Sequence, residues 1–148
     1  MKPKIYLDAN IFIFAFENQS HETEVAREIF ALISQQAITA VISELVVAEL
    51  LVYPLRYNDA RLLDIYSELL NAPPGIDTRP VDRNVLLEAS RQRAIRNKTK
   101  LPDAIHVATA TLNGCRVFVS RDRKLELPST LEKLGLDDEA IAVLRALA

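Results

Sequence analysis

The 148-residue chain contains a single cysteine, Cys115. One thiol closes no internal disulfide and builds no cysteine metal cluster. That excludes a disulfide-stapled secreted scaffold and points to a reducing, cytoplasmic setting. No stretch approaches the roughly 18 uninterrupted apolar residues of a membrane-spanning helix, so no membrane partner is expected. The opening MKPKIYLDANIFIFAF has the basic-then-apolar order of a signal peptide. Asp8 and Asn10 interrupt it, however, and ENQSHETE follows where a small-residue cleavage site would stand. Neither charge sign is in excess: 18 Lys+Arg against 20 Asp+Glu leave a net charge of −2. Bulk charge therefore gives no support to polyanion binding. Internal repeats and low-complexity segments are also lacking, and residues 1–148 read as one domain, 49% apolar and 26% charged.

What is present is unevenly distributed. Arg91, Arg93, Arg96, Lys98 and Lys100 follow one another with no acid between them, and Arg121, Arg123 and Lys124 form a second basic group. Each reads either as a solvated helix face or as a rim for the phosphates of a polyanion.

Apolar periodicity gives the elements. KIYLD (Lys4 to Asp8) is a short strand ending in an acid. ETEVAREIFALI carries Val25, Ile29, Leu32 and Ile33 along one stripe of an amphipathic helix. QAITAVIS is a second strand, and its last residue, Ser43, caps a helix expected from Glu44 to about Tyr53, where Pro54 stops it. RLLDIYSELL is a helix with Leu62, Tyr66, Leu69 and Leu70 on one side, and Asn71 to Gly75 is a loop. IDTRPV is a brief strand that Pro80 confines to an edge or an end. Asp82 opens a helix with Val85, Leu86, Ala89 and Ala94 expected inward. LPDAIHVATA begins a helix with Pro102 in its first turn and Gly114 past its end. CRVFVS is a strand, and DDEAIAVLRALA is a closing helix. Strands alternating with helices predict an α/β fold with a mostly parallel sheet covered by helices.

In such sheets ligands bind beyond the carboxyl ends of the strands. Asp8 ends the first strand, Asp122 follows the CRVFVS strand, and Asp103 opens a helix at its loop-facing end. Glu49 sits inside ISELVVAELLVY, a helix apolar nearly all round, and is expected to be buried. Each acid also has a local explanation. Asp8 can cap a following helix, Asp122 can shape a turn, Asp103 can meet a helix dipole, and Glu49 can pair with a buried arginine. Taken together, four carboxylates at one end of a sheet would repel by about 4 kcal/mol per pair at ~4 Å and an effective dielectric of ~20. Mg²⁺ or Mn²⁺ resolves such repulsion with oxygen ligands. Ions of this kind support in-line displacement at phosphorus, which points to metal-dependent cleavage of a nucleic-acid backbone.

LDAN, SELVVAEL, LPDAIHVATA and VSRD together, in this order and spacing, resemble the PIN-domain ribonucleases, and among them the VapC-like toxins of type II toxin–antitoxin modules. The resemblance spans essentially the whole chain. It implies a three-layer α/β/α sandwich, Mg²⁺ or Mn²⁺, RNA hydrolysis, a homodimer, and an antitoxin whose tail fills the active-site groove. Asp8, Glu49, Asp103 and Asp122 fall in the four acidic places, and Asn10 and Ser120 where polar residues support the acids. Arg91, Arg93, Arg96, Arg121 and Arg123 are the candidates for RNA phosphates. His106 shares a helix face with Asp103, but an oxygen-rich site has little need of imidazole and His106 is left outside the set. Tyr53, Leu55 and Tyr57 read equally as dimer surface or core. Two other readings stand beside this one. The first is a non-catalytic PIN-like RNA-binding module. The second is a haloacid-dehalogenase-like or receiver-like phosphotransfer protein, which also has an Asp after its first strand but leaves Glu49 unexplained.

Overall fold

The computed structural model describes residues 1–148. Five strands form one sheet: β1 (Lys4–Leu7), β2 (Thr39–Ser43), β3 (Ile76–Arg79), β4 (Val117–Val119) and β5 (Glu132–Leu134). Every pairing is parallel, and the order is β3-β2-β1-β4-β5. The sheet is thus wholly rather than mostly parallel, and it has one strand more than the sequence suggested. β5 went unread because two of its three residues are charged and only Leu134 is buried. β3 is an edge strand, as Pro80 required.

Period-two alternation on β1 divides the core. Ile5 and Leu7 face one side, with Ala40, Ile42, Val117 and Val119 of the neighbouring strands. α1 (Ala9–Phe16), α2 (His21–Ser34), α3 (Leu45–Leu50), α5 (Ala60–Leu70) and α8 (Asp138–Leu147) cover that side with Phe12, Ile29, Leu50, Tyr66 and Leu144. Tyr6 faces the other side with Val41 and Phe118, beneath Val107 and Ala110 of α7 (Leu101–Leu112). α6 (Arg83–Ile95) packs against α7 through Val85 and Ala89. The result is an α/β/α sandwich. No helix is long and apolar enough to cross a membrane.

Several helix details differ from the sequence reading. The segment after Ser43 breaks at Leu51 into α3 and a second short helix, α4 (Val52–Arg56), and Pro54 sits inside α4 rather than ending α3. Pro54 is tolerated there because the first turn of a helix has no internal partner for its N–H groups. Ser43 still serves α3, its hydroxyl accepting from the Leu45 N–H at 3.1 Å. On α6, Leu86 and Ala94 point outward, and the inward stripe is Val85, Ala89 and Gln92. Gly114, with φ +72°, follows α7 in the left-handed region that favours glycine.

Candidate active site

Strand order locates the crevice. The chain builds β1, β2 and β3 outward on one flank, then returns to lay β4 against the other flank of β1. Connections therefore leave β1 and β4 in opposite directions, and a gap opens above their carboxyl ends. Asp8 directly follows β1, and Ser120, Arg121 and Asp122 directly follow β4.

One buried hydroxyl ties these two ends together. Ser120 Oγ donates to Asp8 Oδ2 at 2.7 Å and accepts from the Asp122 backbone N–H at 3.0 Å. Asn10 adds a second link: its amide nitrogen lies 3.4 Å from Asp8 Oδ2 and 3.3 Å from Ser120 Oγ, and its Oδ1 accepts from the Arg121 N–H at 3.2 Å. The remaining Asp8 oxygen accepts from the Ala9 N–H at 2.8 Å, so Asp8 also caps α1. Asp122 likewise has a local task, accepting from the Lys124 N–H at 3.0 Å. The cap and turn explanations are correct for both residues, and yet both stand at the crevice.

Glu49 and Asp103 approach from the helices. Glu49 is not buried: its side chain is 35% exposed. The expectation failed because α3 is only six residues long, and only Val46 and Leu50 of it reach the core. Leu45 and Val47 are half-covered, so an apolar run here marks the rim of the sheet and not its interior. The partner of Glu49 is His106, whose Nε2 lies 2.6 Å from Glu49 Oε1 and 3.9 Å from Asp8 Oδ1. Partial burial pushes the Asp103 carboxyl above the usual carboxylate range. The charges of Asp8 and Asp122, and more weakly Glu49, act in the same direction, and only His106 opposes them. Asp103 therefore senses the other three acids.

His106 is the residue that sequence reasoning undervalued. It is 1% exposed, and its Nδ1 lies 2.5 Å from the Tyr6 hydroxyl, which also accepts from the Ser43 N–H at 3.2 Å. Burial, then the charge of Asp8, holds the Tyr6 hydroxyl far above its ordinary pKa, so it keeps its proton and donates it to Nδ1. A neutral His106 then carries its own proton on Nε2, aimed at Glu49. Burial resists a charged imidazolium, but the bond to Glu49 and the charges of Asp8, Glu49 and Asp103 outweigh it and leave the pKa raised. The available signal was the spacing of three from Asp103 on an otherwise apolar helix.

Two grooves flank the acids. One, of about 680 Å³, is lined by Asn10, Phe14, Arg121, Asp122, Arg123 and Lys124. The other, of about 340 Å³, includes Lys98, Lys100, Asp103, Asp122 and Lys124. Arg91, Arg93 and Arg96 line neither. Arg91 pairs with Glu88 at 2.9 Å, Arg93 donates to the Thr99 carbonyl, and Arg96 donates to Gln92. They lie on or just after α6, away from both grooves, so the cations beside the acids come from Lys98, Lys100 and the segment Arg121 to Lys124.

The donor set suits a hard divalent ion: carboxylate oxygens, with Asp103 held above the usual range by burial and, after it, by the charges of Asp8 and Asp122. No three of these side chains converge as a closed cage. Mg²⁺ and Mn²⁺ keep several waters and need only one or two protein carboxylates, so the fit rests on donor chemistry and not on a preformed cage.

An all-parallel α/β/α sandwich with acids at its switch point defines a class of α/β domains that bind their ligands at the carboxyl ends of the strands. Residues 5–129 match the PIN domain model, and the chain belongs to the PIN-domain family. No curated protein matches the chain. Among solved structures it is similar to DNA-bound VapBC from Salmonella typhimurium, at 20% identity and TM-score 0.70, covering 91% of this chain and 99% of that one. VapBC2 from Rickettsia felis, bound to a DNA fragment from its promoter, is similar at 16% identity and TM-score 0.69, covering 90% and 99%. A toxin–antitoxin complex from Klebsiella pneumoniae is similar at 20% identity and TM-score 0.64, covering 86% and 94%. At these identities the likeness speaks to the fold. The receiver-like alternative fails on strand order, since receivers run 2-1-3-4-5.

Proposed function

We propose that the protein is a metal-dependent endoribonuclease and the toxin of a type II toxin–antitoxin pair. One observation carries this reading: the Ser120 hydroxyl joining Asp8 to the Asp122 backbone at the switch point of a PIN-domain sheet, with Glu49 and Asp103 beside them. Asp8, Glu49, Asp103 and Asp122 would hold Mg²⁺ or Mn²⁺. When bound, such an ion supplies charge stabilisation at a phosphoryl oxygen and lowers the pKa of water.

The rest is done by the chain itself. Ser120 and Asn10 orient the Asp8 carboxylate, and with the Ala9 N–H they leave it little freedom to turn. His106, anchored through Tyr6 to the backbone of Ser43, holds Glu49 at the rim. Lys98, Lys100, Arg123 and Lys124 offer cations to phosphates flanking the scissile bond. The solved relatives include toxin–antitoxin assemblies, which supports a cognate antitoxin as partner. Val52, Tyr53, Leu55 and Tyr57, each about half exposed or more, support a homodimer through α4. A mass measurement in solution on wild type and Tyr57→Glu checks that part.

The decisive assay is cleavage of single-stranded RNA with Mn²⁺, arrested by EDTA. RNA binding without cleavage under any divalent ion would favour the non-catalytic module. Transfer of a phosphoryl group to Asp8 would favour the phosphotransfer reading.

Salt dependence tests the cations. Each phosphate contact on a single strand contributes roughly 0.7 to the slope of log affinity against log salt. Replacing Lys98, Lys100 and Lys124 by Gln should lower that slope by about 1–2. The same change at Arg91, Arg93 and Arg96 should lower it less, and an equal or larger fall would return the phosphate track to α6.

A further inference from the structure

Arg121 behaves unlike its basic neighbours. Arg123 and Lys124 form no ion pair, as suits side chains waiting for phosphate. Arg121 is engaged by two side chains, and its backbone by a third. Its Nε donates to Glu22 Oε2 at 2.9 Å, its guanidinium carbon lies 5.0 Å from the centre of the Phe14 ring, and its backbone N–H donates to Asn10. A carboxylate partner wastes the charge of an arginine meant for phosphate, but it fixes the plane of the guanidinium. That plane lies over an aromatic ring, its side chain is 55% exposed, and it forms part of the wall of the 680 Å³ groove. A planar cation backed by an aromatic face and locked at its edge is a surface on which a nucleobase stacks.

We infer that Arg121, backed by Phe14 and locked by Glu22, is a stacking platform for one unpaired nucleobase of an RNA strand lying in this groove. This rests on the ribonuclease reading above and names the form of its substrate. Arg121 precedes Asp122 directly, and Asn10 links its backbone to Asp8 and Ser120. The stacked base therefore belongs to a nucleotide next to the scissile phosphate. A base inside an A-form duplex has both faces occupied by its neighbours and cannot use the platform, so the substrate is a single-stranded loop or tail.

The test separates stacking from charge. Arg121→Lys keeps the positive charge and loses the plane, and Phe14→Leu keeps apolar bulk and loses the ring. Both residues are at least partly exposed, and thermal melts confirm that the variants fold. Binding is measured in EDTA against short single-stranded RNAs in which an abasic nucleotide is walked along the strand, with cleavage followed in parallel with Mn²⁺. For wild type, one abasic position should weaken binding by roughly 5- to 100-fold, the range of a base–aromatic stack. Arg121→Lys should lose a similar factor on the intact strand, lose nothing further at that abasic position, and keep its salt slope. Phe14→Leu should fall between the two. An abasic penalty that persists undiminished in Arg121→Lys overturns the platform while the ribonuclease reading stands. A wild type that neither binds nor cleaves any strand overturns both.

Discussion

Asp8→Asn is expected to lower RNA cleavage on the order of 10²–10³-fold while leaving the fold in place. The size follows from losing a charged ligand at a site where a metal ion contributes several kcal/mol, each 1.4 kcal/mol being about tenfold. Retention of the fold follows from the hydrogen bonds. Asn is as good a helix cap as Asp, so its side-chain oxygen can keep the Ala9 N–H. The new amide nitrogen replaces Oδ2 and faces a Ser120 hydroxyl that already accepts from the Asp122 N–H and the Asn10 amide, so one weak bond is given up at a net cost of about 1 kcal/mol and the fold is kept. A melting temperature near wild type together with lost cleavage is the expected pair of results. Cleavage above a tenth of wild type, with contaminating nuclease excluded, would remove Asp8 from the active site.

Asp103→Asn should shift stability in opposite directions with and without metal. As a mere first-turn acid of α7, Asp103 would stabilise the helix by about 0.3–1 kcal/mol, and its loss would lower the melt. The neighbouring carboxylates predict the reverse in EDTA, because removing one charge relieves the others. Burial and like charge raise the folded-state pKa of Asp103 above its unfolded value, so the folded protein binds the extra proton. Its contribution is thus a penalty above that raised pKa, relieved as pH falls through it. The advantage of Asp103→Asn in EDTA should shrink on acidification through that window. Mn²⁺ should then stabilise wild type by about 2.7 kcal/mol at a hundredfold excess over its dissociation constant, and the variant by much less. Melts of both proteins, in EDTA and in Mn²⁺, give the comparison. A variant that melts lower in EDTA and responds fully to Mn²⁺ would leave Asp103 as a helix starter only.

The legible parts of the fold were those with one strong signal each. β1, β2 and β4 are apolar runs, and Asp82 caps the helix it was read as opening, whereas the caps Ser20 and Asp59 were not read. β5 was invisible because a three-residue edge strand needs only one buried side chain. Glu49 was misjudged because apolar composition says how a helix could pack, whereas helix length and position decide how much of it is covered. The gathering of Asp8, Glu49, Asp103 and Asp122 at one end was readable, since strand ends and helix starts share a side in parallel α/β folds. The Tyr6–His106–Glu49 chain was not. It joins positions up to 100 residues apart, and no local pattern records such a pairing. The basic run divides: continuity in sequence from Arg91 to Lys100 crosses from the end of α6 into a loop, and of its residues only Lys98 and Lys100 line a groove beside the acids.

The hydroxyl that joins Asp8 to the far side of the crevice comes from a residue 112 positions later. During synthesis, β1 must therefore wait, paired only with β2, until nearly the whole chain has left the ribosome. At roughly 5–20 residues per second this interval lasts several seconds or more. Throughout that time the nascent polypeptide lacks one wall of its own active centre. On the ribonuclease reading proposed above, a ribosome meets a complete active centre only at the last stage of each round, and a product ending before β4, lacking Ser120 and Asp122, should not cleave RNA.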